Sequence, residues 1–382
     1  MRPLIKNSIL YNRHFVASNE EVYIAQAMAS GHISGDGPFT RKCHHFLEEE
    51  LGVYKALLTT SGTHALELSA LLLDIQQGDE VIIPSFTFVS TANAFVLRGA
   101  RPVFIDIRQD TLNLDETLLE RLITPRTKAI VPVHYAGVGC EMDAILEIAE
   151  NHGIAVVEDN AHGLFGKYKG RYLGTFGGLA MLSFHESKNF TCGEGGALLI
   201  NDPQYAHRAE IIREKGTNRS SFFRGEVDKY TWLAPGSSYL LSDILAAILY
   251  AQLEAREQIQ ATRKRLWDYY LRHLEDWAKR YDVQLSIVPL DCEQPYHMFY
   301  LLMPSMEQRQ ALIAHLKARD IQSLFHYLPL HLSEMGRHFG GIEGLCPLTE
   351  AVSERLVRLP FYNELTEADQ ERIVLAIKEF NG

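Results

Sequence analysis

Seven short apolar runs rich in Val, Ile and Leu recur through the first half of the chain: "KALLTTS", "EVIIPSF", "RPVFIDI", "KAIVPVHY", "AVVEDN", "LAMLSFH" and "GALLIND". Each ends in loop residues, and most lead on to a stretch with helical spacing, such as "HALELSALLLDI" or "CEMDAILEIAENHG". Continuous apolar runs of this length suit strands buried on both faces, and their alternation with helices requires crossover connections, so a largely parallel seven-stranded sheet with flanking helices is expected. From about residue 250 the pattern changes. A long helical stretch, "SDILAAILYAQLEAREQIQATRKRLWDYYLRHLEDWAKRY", gives way to strand-like "VQLSIVP" and "MFYLLMP", then helix "MEQRQALIAHLKAR" and a terminal amphipathic helix, "TEADQERIVLAIKEF", opened by a Thr cap. The reading is α/β: a large domain over residues 1–249 and a smaller C-terminal α+β domain over 250–382.

Bulk properties exclude several classes. A net charge of −11 with no long Lys/Arg block argues against a nucleic-acid partner. The five cysteines are scattered, without CxxC or zinc-ligand spacing, and read as thiols in a reducing compartment. No signal-peptide core and no apolar run of about 20 residues appears, so no membrane association is expected and a cytoplasmic location is the default. No metal site is expected: H-E-x-x-H is absent, and the 16 histidines, "CHHF" included, read as solvated or hydrogen-bonded. The dinucleotide fingerprint is missing as well, since "GEGGAL" ends in Leu198 and follows the wrong strand.

Ligands of open α/β sheets bind beyond the carboxyl ends of the strands, so the residues ending the runs are compared as one site. Gly62 and Thr63 lie where a strand turns into a helix, offering amides, a hydroxyl and a helix N-terminus to a phosphate. Asp159 closes a buried strand, where a carboxylate needs a cation or donors opposite it. Ser183 ends a strand and Lys188 follows it, 29 residues after Asp159, between apolar "GLAMLSF" and the glycines of "CGEGGAL". A lysine in such a pocket can lose its proton and attack a carbonyl. Phe88 could stack on a planar ring. Alone, each has an ordinary alternative: a helix cap, a chain turn, a solvated lysine, a core aromatic. Together they supply a phosphate cradle, a carboxylate, an amine and an aromatic plate, the contacts that pyridoxal 5′-phosphate requires.

"SGTHAL", "PSFTFVSTANAF", "VPVHYAG", "VVEDNAHG", "SFHESKNFTCGEGGAL" and "HYLPLH" stand in the order and spacing of the DegT/DnrJ/EryC1 sugar aminotransferases, which the chain resembles over nearly its whole length. The resemblance implies the fold-type I architecture of pyridoxal phosphate enzymes and a homodimer with shared sites. It assigns Lys188 to the cofactor aldehyde, Asp159 to the pyridine nitrogen, Ala161 and Phe88 to the two ring faces, and His162 to the ring hydroxyl. Gly62, Thr63 and Ser183 match phosphate contacts. Ser238, in "GSSYLLSD", stands where relatives carry an Asn that reaches the neighbouring subunit's phosphate, and Leu240 replaces an Arg.

The implied reaction moves an amino group from L-glutamate to a nucleotide-linked keto sugar, dTDP-4-dehydro-6-deoxy-D-glucose being the first expectation. Other nucleotide keto sugars, such as 3-keto sugars, are alternatives. A sugar dehydratase of the same family would carry histidine at Lys188, and a noncatalytic relative would be expected to lose Lys188 or Asp159. The basic loop "REKGTNRSSFFRGEVDKY", with Arg219, is expected to meet the diphosphate, and the loop "GHISGDGPFT" to fold over the site. His326 and Tyr327 are substrate candidates by resemblance.

Overall fold

The computed structural model describes residues 8–380. All seven runs form strands of one sheet: β1 (Lys55–Thr59), β2 (Glu80–Pro84), β3 (Arg101–Ile105), β4 (Thr127–Ile130), β5 (Ala155–Asp159) and, beyond the small hairpin β6 (Lys167–Tyr168) and β7 (Arg171–Tyr172), β8 (Leu179–Ser183) and β9 (Gly196–Ile200). Their order is β1-β9-β8-β5-β4-β2-β3. Pairings from β3 through β8 are parallel, whereas β9 runs antiparallel to both β8 and β1. The exception follows from the connection: residues 184–195 return from β8 to β9 as a hairpin loop with no crossover helix, and only antiparallel neighbours can be joined so tightly.

Both faces of the sheet are covered. Val81 and Ile83 join one core cluster while Ile82 between them joins another, each at most 1% exposed. That two-sided burial is why the strands read as continuous apolar runs. Helices α1 (Glu20–Ala29) and α2 (Pro38–Leu51) sit with α8 (Asp243–Glu254), and α3 (Gly62–Leu72) packs on α4 (Val89–Val96), β8 and β9. The face away from α3 carries α5 (Met142–His152) as well as α1, α2 and α8; α5 ends at Gly153 in the left-handed conformation (φ 63°). Helix α6 (Ala206–Arg213) leads to an exposed excursion that contains the short α7 (Arg219–Phe223).

The long helical stretch breaks at Ala255 into α8 and α9 (Arg256–Arg280). Leu249 and Leu253 belong to the core beneath the sheet, while Leu266, Trp267, Tyr270, Leu274 and Trp277, at helical spacing, belong to a second core. That core is shared by α10 (Met306–Lys317) and α13 (Glu367–Lys378), the latter capped by the Thr366 side chain as expected. The second body's antiparallel sheet holds β10 (Gln284–Leu285), β12 (Tyr300–Leu302) and β13 (Leu356–Arg358), while β11 (Cys292–Glu293) joins the β6–β7 hairpin instead. Only two residues of "VQLSIVP" pair as strand. Ile9 pairs with Ile321 and enters the second core, so the beginning of the described chain is woven into its far half.

Buried polar bonds tie the two bodies together. Asp106, after β3, accepts from the Leu348 and Thr349 amides (2.9 and 2.8 Å) and from the Thr349 hydroxyl (2.8 Å). It thereby caps α12 (Pro347–Arg355), which follows α11 (Glu334–His338). Ser85, after β2, bonds His331 Nδ1 at 2.6 Å, and His331 Nε2 meets Glu350 at 2.9 Å.

Candidate active site

The carboxyl ends of β2, β5 and β8 open on one cavity of about 900 Å³, closed on its far side by the 324–330 segment and Arg358. Gly62, Thr63, Phe88, Asp159, Ala161, His162, Ser183, Lys188, His326 and Tyr327 all line it.

Lys188 lies on the β8–β9 hairpin, which explains the glycines beside it. Bonds from Phe184 N to Gly195 O (2.8 Å) and from Glu186 N to Gly193 O (2.9 Å) close the loop, with Gly193 at φ +86°. At Gly196 a Cβ would come within 2.4 Å of Gly62 N and Ser61 C, so only glycine lets the N-terminus of α3 approach β9 this closely. Gly62 is equally constrained, its would-be Cβ lying 2.9 Å from Met181 Cε and 3.1 Å from Ser183 Cβ. The lysine loop and the helix N-terminus are thereby locked side by side. Ser61 caps α3 by accepting from His64 N (3.1 Å), and the Thr63 hydroxyl meets that of Ser90 at 2.8 Å.

Asp159 is buried, with Oδ2 accepting from the Thr91 hydroxyl (2.7 Å) and Oδ1 from Ala161 N (3.2 Å). Burial raises its pKa against those two bonds. The half-buried Lys188 is pushed down to about 8, first by burial and further by the charge of Arg358, with Asp159 pulling the other way. A substantial fraction of its amine is therefore uncharged and nucleophilic near neutral pH.

Three histidines form the opposite wall. His162 stacks on His297 (4.2 Å between centroids, 18° between planes) and its buried Nδ1 has no partner among the described residues. His297 Nδ1 bonds Asn189 Oδ1 at 2.8 Å, and Asn189 Nδ2 donates to Pro295 O at 2.7 Å, which holds the residue next to Lys188. His326 bonds the Tyr135 hydroxyl at 2.8 Å and stacks on Tyr327 at 3.6 Å. Burial lowers the pKa of all three histidines, so they are neutral at pH 7. Tyr327 adopts φ 40°, a strained conformation for a bulky residue.

Two of the singled-out residues lie elsewhere. Ser238 is exposed and bridges Glu214, and Arg219 on α7 pairs with Glu214 at 3.4 Å, both outside the cavity of their own chain. The basic loop is largely neutralised: Lys215 also meets Glu214, and Arg224 pairs with Glu210 and Glu226. The loop expected to cover the site packs instead beside Ser238. A Cβ at Gly35 would lie 2.5 Å from Leu240 Cβ, and Asp36 pairs with the buried Arg213 at 2.8 Å. That ion pair ties the loop to the end of α6, and the Asp243 amide donates to Ile33 O at 3.1 Å, which holds the loop against the 238–243 segment.

Sequence reasoning did not single out Thr91, Asn189, His297 or Arg358. Thr91 lies one helical turn after Phe88 within a quoted motif, and Asn189 follows Lys188, so local spacing carried a signal for both. His297 and Arg358 come from the second body, and no local pattern marks them.

The arrangement fits pyridoxal phosphate: an amine for the aldehyde, a buried carboxylate for the pyridine nitrogen, an unpartnered His162 nitrogen, and the amides of Gly62 and Thr63 at a helix N-terminus for the phosphate. Residues 16–378 match the model of the DegT/DnrJ/EryC1/StrS aminotransferase family. Among solved structures, DesV of S. venezuelae is 32% identical, with a TM-score of 0.86 over 95% of this chain and 94% of that one. Spr1654 of Streptococcus pneumoniae, a candidate sugar aminotransferase, matches in its PLP form at 26% identity and TM-score 0.89, over 97% of this chain and 98% of that one. Helicobacter pylori PseC, an aminotransferase of pseudoaminic acid biosynthesis, matches at 25% identity and TM-score 0.89, over the same shares. With lysine, carboxylate and helix end all in place, the chain belongs to the DegT/DnrJ/EryC1/StrS aminotransferase family and is an aminotransferase that uses pyridoxal phosphate.

Proposed function

We propose that this enzyme moves the amino group of L-glutamate to a nucleotide-linked keto sugar, with dTDP-4-dehydro-6-deoxy-D-glucose as acceptor and dTDP-4-amino-4,6-dideoxy-D-galactose as product. The observation that carries the reading is the joint placement of Lys188, Asp159 and the α3 N-terminus in a cavity of about 900 Å³, larger than a cofactor of this kind fills. When bound, pyridoxal phosphate supplies an electron sink and stores the nitrogen between two half reactions. Lys188 is the catalytic residue: its amine, held near neutrality, takes the proton from the donor α-carbon and returns one to the sugar carbon. Asp159 holds the ring nitrogen protonated. Ala161 and Phe88 hold the ring faces, and His162 meets the ring oxygen.

His326 and Tyr327 border the space left for the sugar, beside the exposed Phe325 and Leu328. Ser238 and Arg219, exposed and outside their own cavity, are assigned to the partner's site in a homodimer. The apolar exposure of Phe223 (69%) and Trp232 (76%) beside them supports that assignment. The five cysteines are free thiols, in keeping with a cytoplasmic location.

The test is incubation of the purified enzyme with cofactor, L-glutamate and dTDP-4-dehydro-6-deoxy-D-glucose. Mass spectrometry should find a dTDP-aminosugar and 2-oxoglutarate in equal amounts. Oxoglutarate formation without any aminosugar, repeated with 3-keto nucleotide sugars, would reject the acceptor class.

A further inference from the structure

His162 is assigned to the ring oxygen of the cofactor, yet no hydrogen bond orients it. Its Nδ1 is buried without a partner, and among the described residues no donor or acceptor reaches Nε2 either. The torsion that turns an imidazole about its Cβ–Cγ bond is broad, so a ring without a bond is free to tilt out of any one plane. What faces this ring is another imidazole. His297 lies nearly parallel to it, 4.2 Å between centroids and 18° between planes, whereas His326 and Tyr135 both stand at 6.0 Å.

His297, by contrast, is fixed by its surroundings. Arg263 of α9, itself buried, donates through Nη2 to His297 O (2.6 Å), through Nε to Tyr296 O (2.8 Å) and through Nη1 to Asn363 Oδ1 (3.1 Å). Tyr296, directly before the histidine, holds φ 54°, a costly conformation for a bulky residue. Asn189 sets the ring itself. Its Nδ2 is committed to Pro295 O at 2.7 Å, so its oxygen faces His297 Nδ1 at 2.8 Å; the reversed amide would set oxygen against oxygen. His297 therefore carries its proton on Nδ1, and burial keeps the ring neutral. A ring of fixed plane and fixed tautomer is thus held flat against one that has no bond of its own.

We infer that His297 is a positioning residue: through the stack it sets the plane in which His162 meets the cofactor's ring oxygen, and Asn189 sets His297. The inference rests on the place given to His162 in the function proposed above. A hydrogen bond weakens steeply as its angle departs from alignment, so a ring held in plane before the cofactor arrives bonds better and loses less freedom on binding. The second body supplies the buttress and its clamp, and the first supplies the ring that meets the cofactor. Asn189 ties both to the loop of Lys188.

The test reads cofactor affinity by equilibrium dialysis and the pH at which the bound cofactor's visible band changes, neither of which needs turnover. His162→Ala is the reference. It should weaken affinity about fivefold, the worth of one hydrogen bond, and raise that pH because the ring oxygen loses a donor. His297→Leu, which keeps bulk but no flat face, should move both readings the same way by roughly half as much or more, while His297→Phe should stay within about twofold of wild type. Asn189→Ala frees the ring without emptying the wall; it should fall between them, and it decides the matter where His297→Leu does not fold. In a His162→Ala background, His297→Leu should add nothing further, because its effect passes through the missing ring. Equal losses with and without His162, or a His297→Phe as impaired as His297→Leu, overturn the inference, since the wall then acts as packing alone. Readings unchanged in both His297→Leu and Asn189→Ala overturn it too, and beside an impaired His162→Ala they leave the place of His162 standing. A His162→Ala enzyme that reads as wild type removes that place and the inference with it.

Discussion

Lys188 should titrate well below an ordinary lysine, at about 8 where the usual value is 10.5. At pH 7 that leaves roughly one amine in ten uncharged, against about one in three thousand at the ordinary value, a gain of about 300-fold in the nucleophilic form. In free energy the shift corresponds to about 3 kcal/mol, a ceiling because the half-buried amine reaches solvent through the cavity mouth. The assay is the rate at which apo-enzyme captures pyridoxal phosphate between pH 6 and 10.5, with free lysine run in parallel to remove the cofactor's own ionisations. The rate should rise with pH and level off above a midpoint near 8. Asp159→Asn removes the carboxylate that favours the ammonium and should move the midpoint down, while Arg358→Gln removes a repelling cation and should move it up. For stability the sign follows from a folded pKa below the unfolded one: the Lys188 contribution is whole above pH 10.5 and is lost as the pH falls through about 8, so Lys188→Met apo-protein should lose less stability on acidification over that window. A midpoint at 10 or above would refute the claim that burial sets this lysine's reactivity.

Two further outcomes follow from the bonding beneath the site. Glu158, fully buried, accepts from Gly174 N (2.7 Å), Phe176 N (2.6 Å), Gly177 N (2.7 Å) and His134 Nε2 (2.9 Å). Glu158→Gln leaves donors facing donors and should cost about 3 kcal/mol, read as a lower urea midpoint with activity intact where the fold survives. Gly62→Ala forces a Cβ to within 2.9 Å of Met181 and 3.1 Å of Ser183, displacing the helix end. Equilibrium dialysis should show cofactor affinity falling about tenfold, with the Lys188 midpoint unmoved.

The seven strands were legible because burial on both sheet faces leaves an unbroken apolar signature, and two-residue strands such as Gln284–Leu285 were not, because so short a pairing leaves no pattern. The antiparallel turn of β9 left its mark in the glycines after Lys188, yet the reason for Gly196 became visible only when α3 was found against it. Lys188, Asp159 and the α3 entrance sit where strands end, a position that local sequence reveals. Arg358 and His297 reach the cavity from the second body, more than a hundred residues later, and only tertiary structure brings them there. Asp36 shows the same dependence on tertiary structure: the glycines around it suggested tight turns folding over the site, and the buried Arg213 that fixes its place carries no local signal.

The capping of α12 by Asp106 and the Ser85–His331–Glu350 chain have a consequence for how the molecule comes apart. Neither body can loosen from the other without stranding a carboxylate or an imidazole in a dry interface, and Ile9 threads the start of the described chain into the far core. Calorimetry should accordingly record one heat-absorption peak for both bodies, and donor and acceptor must each find a vessel whose walls are already set.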